Sequence, residues 1–307
     1  MDTFIQQIIN GLVLGSIYAL VALGYTMVYG ILGLINFAHG EVVMIGALTA
    51  LTVIKLLAGS GLPGTVVVLL GLLAAVPVCM ALGFTIERVA YRPLRNAPRL
   101  APLITAIGVS IVLQQLAMIF WGRNYHAFPP ILPTTGREIG GAHITDVQIV
   151  IVLLAVAIMA GLMLLVNRTR LGRAMRATAE NPQIAGLMGV NINVIISATF
   201  LIGSALAAVA GVMVSANYSI AHYHMGFILG LKAFTAAVLG GIGNLPGAML
   251  GGVLLGLIES LGAGYIGDLT GGFLGSHYQD VFAFFVLILV LVFRPSGLMG
   301  EKVAERA

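Results

Sequence analysis

Two charged residues stand where a hydrocarbon environment would penalise them. Lys232 interrupts the apolar stretch 226–244, and Glu259 interrupts 246–266. A charge at the centre of a membrane-spanning helix costs roughly 2.5–3.5 kcal/mol on insertion scales. If residues 226 and 266 mark the outer edge, a rise of ~1.5 Å per residue puts both charges about 9–10 Å deep. Antiparallel neighbours charged at similar depth can pair, as a structural clamp or as part of a polar pathway. A second polar cluster is Asn36, His39 and Glu41 in NFAHGE. It reads either as a wet turn between helices or as a gate in which His39 and Glu41 exchange hydrogen bonds.

Other chemistries lack their residues. The chain has three lysines, none preceded by glycine, so it carries no Walker A loop and any ATP must be bound by another polypeptide. GGIGNLP at 240–246 lacks the strand–turn–helix setting of a dinucleotide fingerprint and reads as a turn. HExxH and GxSxG are absent. His222 and His224 form an HxH pair, which would need at least a third ligand to hold a metal. The lone cysteine, Cys79, reads as a buried space-filler. Catalytic, metal and cofactor sites are therefore not expected.

The elements that must position these residues follow from composition. Of 307 residues, 59% are apolar and 8% charged, with a mean hydropathy of +1.06. A water-soluble core cannot absorb so many apolar side chains. That excludes a soluble enzyme, a nucleic-acid binder and a disordered chain. Crossing the membrane takes ~20 apolar residues. Clear candidate spans are 64–86, 101–121, 146–166, 195–216, 246–266 and 279–294, with 42–58 barely long enough. The uncharged stretch 4–35 is too long for one untilted span and too short for two, and 226–244 is glycine-broken. Broken or re-entrant helices are expected in both. The fold class is thus an all-α, polytopic membrane helix bundle of about eight spans, forming a single transmembrane domain over 1–307. Small-xxx-small spacings (Gly11/Gly15, Gly203/Ala207/Gly211, Gly243/Gly247/Gly251) suit close helix packing.

Orientation follows the basic residues. Arg88, Arg92, Arg95 and Arg99 form one cluster, Arg168, Arg170, Arg173 and Arg176 a second, and Arg294, Lys302 and Arg306 a third. Even numbers of spans separate them, so all three face the cytoplasm. Lys55, Arg123 and Arg137 fall in outer loops. The side on which the N-terminus lies depends on how 4–35 is broken.

The cytoplasmic loop at about 167–194 holds one more feature. Glu180, Asn181 and Pro182 resemble a helix start, Ile184, Ala185, Leu187 and Met188 offer a short apolar face, and Gly189 supplies a stop. A short apolar-faced helix outside the bilayer either docks into a groove on another protein or lies on lipid.

The segments GYTMVYGILGLINFAHGEVVMIGA (24–47), IERVAYRPLR (86–95), AENPQIAGLMGVN (179–191) and LKAFTAAVLGGIGNLPGAMLGG (231–252) resemble the permease subunits of bacterial branched-chain amino acid ABC importers, closest to the shorter of two permease types. The resemblance runs from about residue 4 to residue 300. It implies an inner-membrane subunit moving leucine, isoleucine or valine inward by alternating access. It further implies a second permease subunit (a hetero- or homodimer), two cytoplasmic ATPases and a periplasmic binding protein. By the same resemblance the short helix is the coupling helix, with Glu180, Pro182, Ala185, Leu187 and Gly189 meeting an ATPase. The apolar-proline tail usual in that motif is absent. Asn36, His39, Glu41, Lys232 and Glu259 are the candidate pathway or gate residues, and Thr235 and Asn244 would fit a weak cargo site. Rival expectations are a permease for urea or amides, an ion-coupled secondary transporter, and a passive channel.

Overall fold

A computed structural model of the chain describes residues 2–95, 97–98, 100–129, 136–139, 141–271 and 278–300. Arg99, Lys302 and Arg306 lie outside the described residues. Eleven α-helices among the described residues carry the fold: α1 (Asp2–Leu32), α2 (His39–Leu56), α3 (Gly64–Thr85), α4 (Leu100–Trp121), α5 (Asp146–Arg168), α6 (Arg170–Glu180), α7 (Pro182–Leu187), α8 (Ile192–Tyr218), α9 (Met225–Gly240), α10 (Leu245–Leu269) and α11 (Gln279–Phe293). Seven are long and apolar enough to cross a membrane, and α9 and the apolar part of α11 are shorter. A π-turn (Ile86–Tyr91) and a 3-10 turn (Arg92–Leu94) prolong α3 without a break. Two small antiparallel pairs join β1 (His126–Ala127) to β4 (Ile220–Ala221) and β2 (Gly136–Ile139) to β3 (Ala142–Thr145).

The break expected inside 4–35 falls only at its far end, after Leu32. α1 is one helix of 31 residues, about 46 Å at ~1.5 Å per residue. Continuity is favoured because an interrupted helix would leave backbone groups unpaired in hydrocarbon. The interruption comes at Gly33 (φ +63°), whose N–H bonds Tyr29 O at 2.7 Å. Residues 33–38 then lead back to the start of α2. The other expected irregularity is present: α9 spans only 16 residues and ends in a turn with Gly241 at φ +107° and Gly243 at φ +95°.

Close glycine contacts assemble the bundle. A Cβ on Gly15 would lie 2.7 Å from Val253 Cα, and one on Gly11 would lie 2.8 Å from Leu257 Cα. α1 and α10 therefore touch backbone to backbone. Gly211 meets the Val43 carbonyl on α2, and Gly251 meets the Ala236 carbonyl on α9. The three small-residue stripes thus serve three different helix pairs. α1, α2 and α8 supply most of the fully buried side chains, while α3, α4 and α5 leave much of their apolar surface open.

The two ends are distinguishable. At one, Trp121 Nε1 donates to Thr52 Oγ1 at 2.8 Å, β1 pairs β4, and Gln6 Nε2 donates to His143 O at 3.0 Å. At the other, Arg95 reaches Asn193, Arg176 reaches the Val166 carbonyl, and Met299 N–H bonds Gly240 O at 2.9 Å. The described members of all three basic clusters share the second end, which is cytoplasmic by the positive-inside rule. The first turns of α1 therefore lie outside, which decides the side left open by the sequence.

Candidate functional site

The first site is the buried charge network. Lys232 Nζ lies 2.7 Å from Glu259 Oε1 and 2.7 Å from Asp280 Oδ1. Tyr18 OH donates to Glu259 Oε2 at 2.9 Å, and the ammonium sits 5.9 Å from the Tyr18 ring centroid. The expected pairing of Lys232 with Glu259 is present, and it is larger than a pair. It joins α1, α9, α10 and α11. Lys232 and Glu259 are both buried. Both Glu259 oxygens are engaged, so this carboxylate is locked by cation and hydroxyl together. Asp280 and Tyr18 escape sequence reasoning because nothing in local spacing links residues 18, 232, 259 and 280.

The second site lies at the start of α2. Asn36 shapes the turn that leads into it: its Oδ1 accepts from Ala38 N–H at 3.2 Å and from Tyr91 OH at 3.1 Å. His39 packs edge-on to Tyr25, centroids 4.9 Å apart. Its Nε2 presses on Gly24 so closely that a Cβ there would collide. Glu41 Oε1 accepts from Ser110 Oγ at 3.0 Å and from Gln114 Nε2 at 2.7 Å. Its Oε2 has no partner, although the residue is 0% exposed. In this arrangement His39 and Glu41 do not bond each other. On a helix, residues two apart do not share a face, and these two point to α1 and α4 respectively.

Beside Glu41 is a cavity of about 180 Å³ between α1, α4 and α9. Ser110, Gln114 and His224 bring polar atoms to it, and Tyr25, Phe37 and Phe227 bring rings. His224 therefore lines this cavity, while His222 stacks on Tyr125 at 4.2 Å. Among the described residues, no group of three His, Cys, Asp or Glu could hold a metal. Thr235 and Asn244 do not face this space. Thr235 Oγ1 donates to Leu231 O at 2.9 Å, and Asn244 is committed to Met299 O and Gly247 N–H, each at 2.9 Å. A larger cleft of about 650 Å³ opens at the cytoplasmic end, between Tyr29, Ala179, Val238, Asn244 and Ser296.

The third site is the cytoplasmic loop. α6, unforeseen as a separate helix, carries Arg170, Arg173 and Arg176 and ends at Glu180. Asn181 caps α7, its Oδ1 accepting from Gln183 N–H and Ile184 N–H, both at 3.0 Å, and Pro182 occupies the first turn. Gly189 closes the segment at φ +87°, a conformation a side chain rarely adopts. One assignment changes. Ala185 is buried against its own chain, so it cannot enter a partner's groove. The outward apolar face is Ile184, Leu187 and Met188, with Leu187 87% exposed.

That foot is tied to the bundle. α8 begins five residues beyond the end of α7. From its first turns Asn193 Oδ1 accepts from Arg95 Nη1 at 2.6 Å, and Ser197 Oγ donates to Glu87 Oε2 at 2.7 Å. Glu87 is fully buried and also pairs Arg92, at 3.4 Å, and Arg95. The π-turn, a form frequent at functional positions, is thereby latched to the helix next to the foot.

A polytopic helix bundle with a cytoplasmic foot, a buried charge network and a mostly apolar cavity is the architecture of a membrane subunit, and its relatives make it one of transport. The chain belongs to the family described as branched-chain amino acid transport system / permease component, whose model matches residues 7–291. It is 50% identical to the high-affinity branched-chain amino acid transport system permease protein BraD of Pseudomonas aeruginosa, over 99% of this chain and 98% of that one. It is 45% identical to the corresponding permease protein LivH of Escherichia coli K12, over 99% and 97%. A 130-residue stretch is 33% identical to the autoinducer 2 import system permease protein LsrC of Photorhabdus laumondii, covering 41% of this chain and 38% of that one. No solved structure matches the chain.

Proposed function

We propose that this protein is the membrane-spanning permease subunit of an ATP-driven importer of branched-chain amino acids in a bacterial inner membrane. Its partners are a second permease subunit, two cytoplasmic ATPases and a periplasmic binding protein. Cargo identity is supported by the full-length similarity to BraD and LivH. The observation that carries the mechanism is the foot: α7 projects from the cytoplasmic end with Ile184, Leu187 and Met188 unpacked. ATP binding draws the ATPases together, and the foot is displaced with them. The Glu87 latch passes that displacement from α8 to α3, and the bundle opens outward to accept cargo from the binding protein. The locked Lys232–Glu259–Asp280 network holds α9, α10 and α11 as one body during this motion. Asn36, His39 and Glu41 lie where α1, α2 and α4 meet and form the polar part of the pathway.

Reconstitution with the partner subunits and labelled leucine tests this reading. Wild-type complex takes up leucine when ATP and binding protein are present. Leu187→Asp loses that uptake while the bundle stays folded; unchanged uptake would remove the foot from the mechanism. Partial similarity to an autoinducer 2 permease favours a second reading, import of another small polar solute. Competition by other solutes during leucine uptake separates the two.

A further inference from the structure

The cavity between α1, α4 and α9 borders a carboxylate whose environment is half built. Two neutral donors, Ser110 Oγ and Gln114 Nε2, converge on Glu41 Oε1. Glu41 Oε2 has none. It faces Gly226, where a Cβ would lie 2.8 Å from it, at the outer start of α9. No lysine or arginine among the described residues pairs with Glu41. A buried carboxylate with an unfilled acceptor is costly unless a cation or donor completes it. Glu259 shows how this same chain completes one, with Lys232 and Tyr18.

The space next to it has two characters. Ser110 and Gln114 line the cavity and hold Glu41 at the same time. Gln114 spends its amide N–H on Glu41 and keeps its carbonyl oxygen as a further acceptor. On the same face of α4, Ile107 and Ile111, joined by Leu231 of α9, add an aliphatic and partly exposed wall. At roughly 30 Å³ per water, about 180 Å³ holds about six waters, the scale of a small organic solute rather than a bare ion. A few polar groups set in a mostly apolar concavity are the usual composition of a small-molecule site.

We infer that this cavity is the chain's cargo subsite, in which the charge of Glu41, acting from behind Ser110 and Gln114, draws the α-ammonium group of an amino acid to the Gln114 carbonyl oxygen while Ile107, Ile111 and Leu231 take its aliphatic side chain. The inference rests on the transport reading above and gives it a place and a recognition chemistry. The charge completing Glu41 then arrives with the cargo and leaves with it. Glu41→Gln is the informative change. The amide keeps the shape, and its oxygen can still accept from Ser110 and Gln114. It reproduces a protonated carboxyl but cannot attract an ammonium.

The test uses the full importer complex in proteoliposomes and a diazirine-bearing leucine analogue. After illumination, labelled positions are mapped by mass spectrometry, and leucine uptake is compared with ATP hydrolysis. Wild type is expected to take label on α4 or α9 around Ile107, Ile111 and Leu231, removed by excess leucine. Glu41→Gln is expected to lower label and uptake at least about tenfold, about 1.4 kcal/mol, with binding-protein-stimulated hydrolysis kept within about twofold. Ile111→Trp, which fills the cavity, should do the same, and lipid-side Leu153→Trp should not. The inference is overturned by wild-type label confined to other helices, by normal uptake in Glu41→Gln or Ile111→Trp, or by hydrolysis falling in step with uptake. Lack of ATP-driven leucine uptake by the wild-type complex overturns the transport reading itself, and the subsite with it.

Discussion

Glu259 and Glu41 are both buried carboxylates inside the same helix bundle, yet their surroundings are opposite. Glu259 meets an ammonium at 2.7 Å and a phenol at 2.9 Å, one on each oxygen. Glu41 meets two neutral donors on a single oxygen and nothing on the other. Desolvating a charge costs several kcal/mol, and only a close counter-charge with satisfied hydrogen bonds offsets it. Glu259 is therefore a fixture that ties helices together. Glu41 is an unfinished site, stable only because hydrogen bonding partly compensates it. Glu87 stands between them: both oxygens are engaged, by arginines on one and a serine hydroxyl on the other, at the cytoplasmic end.

The largest effect should come from breaking the fixture. Lys232→Met strands Glu259 and Asp280 and should cost about 3–5 kcal/mol, seen as a sharp fall in the purified protein's thermal stability. Adding Glu259→Gln should recover much of that loss. Equal stability for the single and double variants would show that the pair is not coupled. A simple charge swap of the pair is a poor test, because it would set a new carboxylate against Asp280.

Glu87→Gln should be milder, about 1–3 kcal/mol, because its arginines are partly exposed and find water. Its stronger signature should be functional: ATP hydrolysis persists while leucine uptake per ATP falls, measured in proteoliposomes. Tight coupling in this variant would remove the latch from the transmission path.

Glu41→Gln should change stability by less than about 1 kcal/mol, because both existing bonds survive on the amide oxygen. Comparable destabilisation by Glu41→Gln and Lys232→Met would erase the contrast between the two carboxylates. Smallest of all on stability is Leu187→Asp, within about 0.5 kcal/mol for an exposed site, despite its expected loss of ATP-driven uptake. Gly189→Arg is less clean there, because a side chain at φ +87° costs roughly 1–2 kcal/mol in strain.

Much of the bundle and part of the site are legible in the residues themselves. Depth counting brings Lys232 and Glu259 together because both helices rise at the same rate per residue. Asn181, Pro182 and Gly189 mark α7 because caps and stops act locally. Helix continuity is harder. The stretch 4–35 reads as broken by length, but α1 runs unbroken to Leu32, packed through its glycines on α10, and the break comes only at Gly33. Ala185 reads as contact surface because six residues do not reveal which side faces the bundle.

Composition and the placement of arginines determined a membrane bundle and its orientation, since hydrocarbon acts on each residue by its own transfer energy. Local signals determined the foot and most helix ends for the same reason. Only the tertiary structure decided that Asp280 and Tyr18 complete the Lys232 network and that Ser110 and Gln114 hold Glu41. It alone placed His224 in a cavity wall and Ala185 inside. Those outcomes depend on which helix faces which, and that is settled by backbone contacts between segments far apart in the chain, such as Gly11 against Leu257.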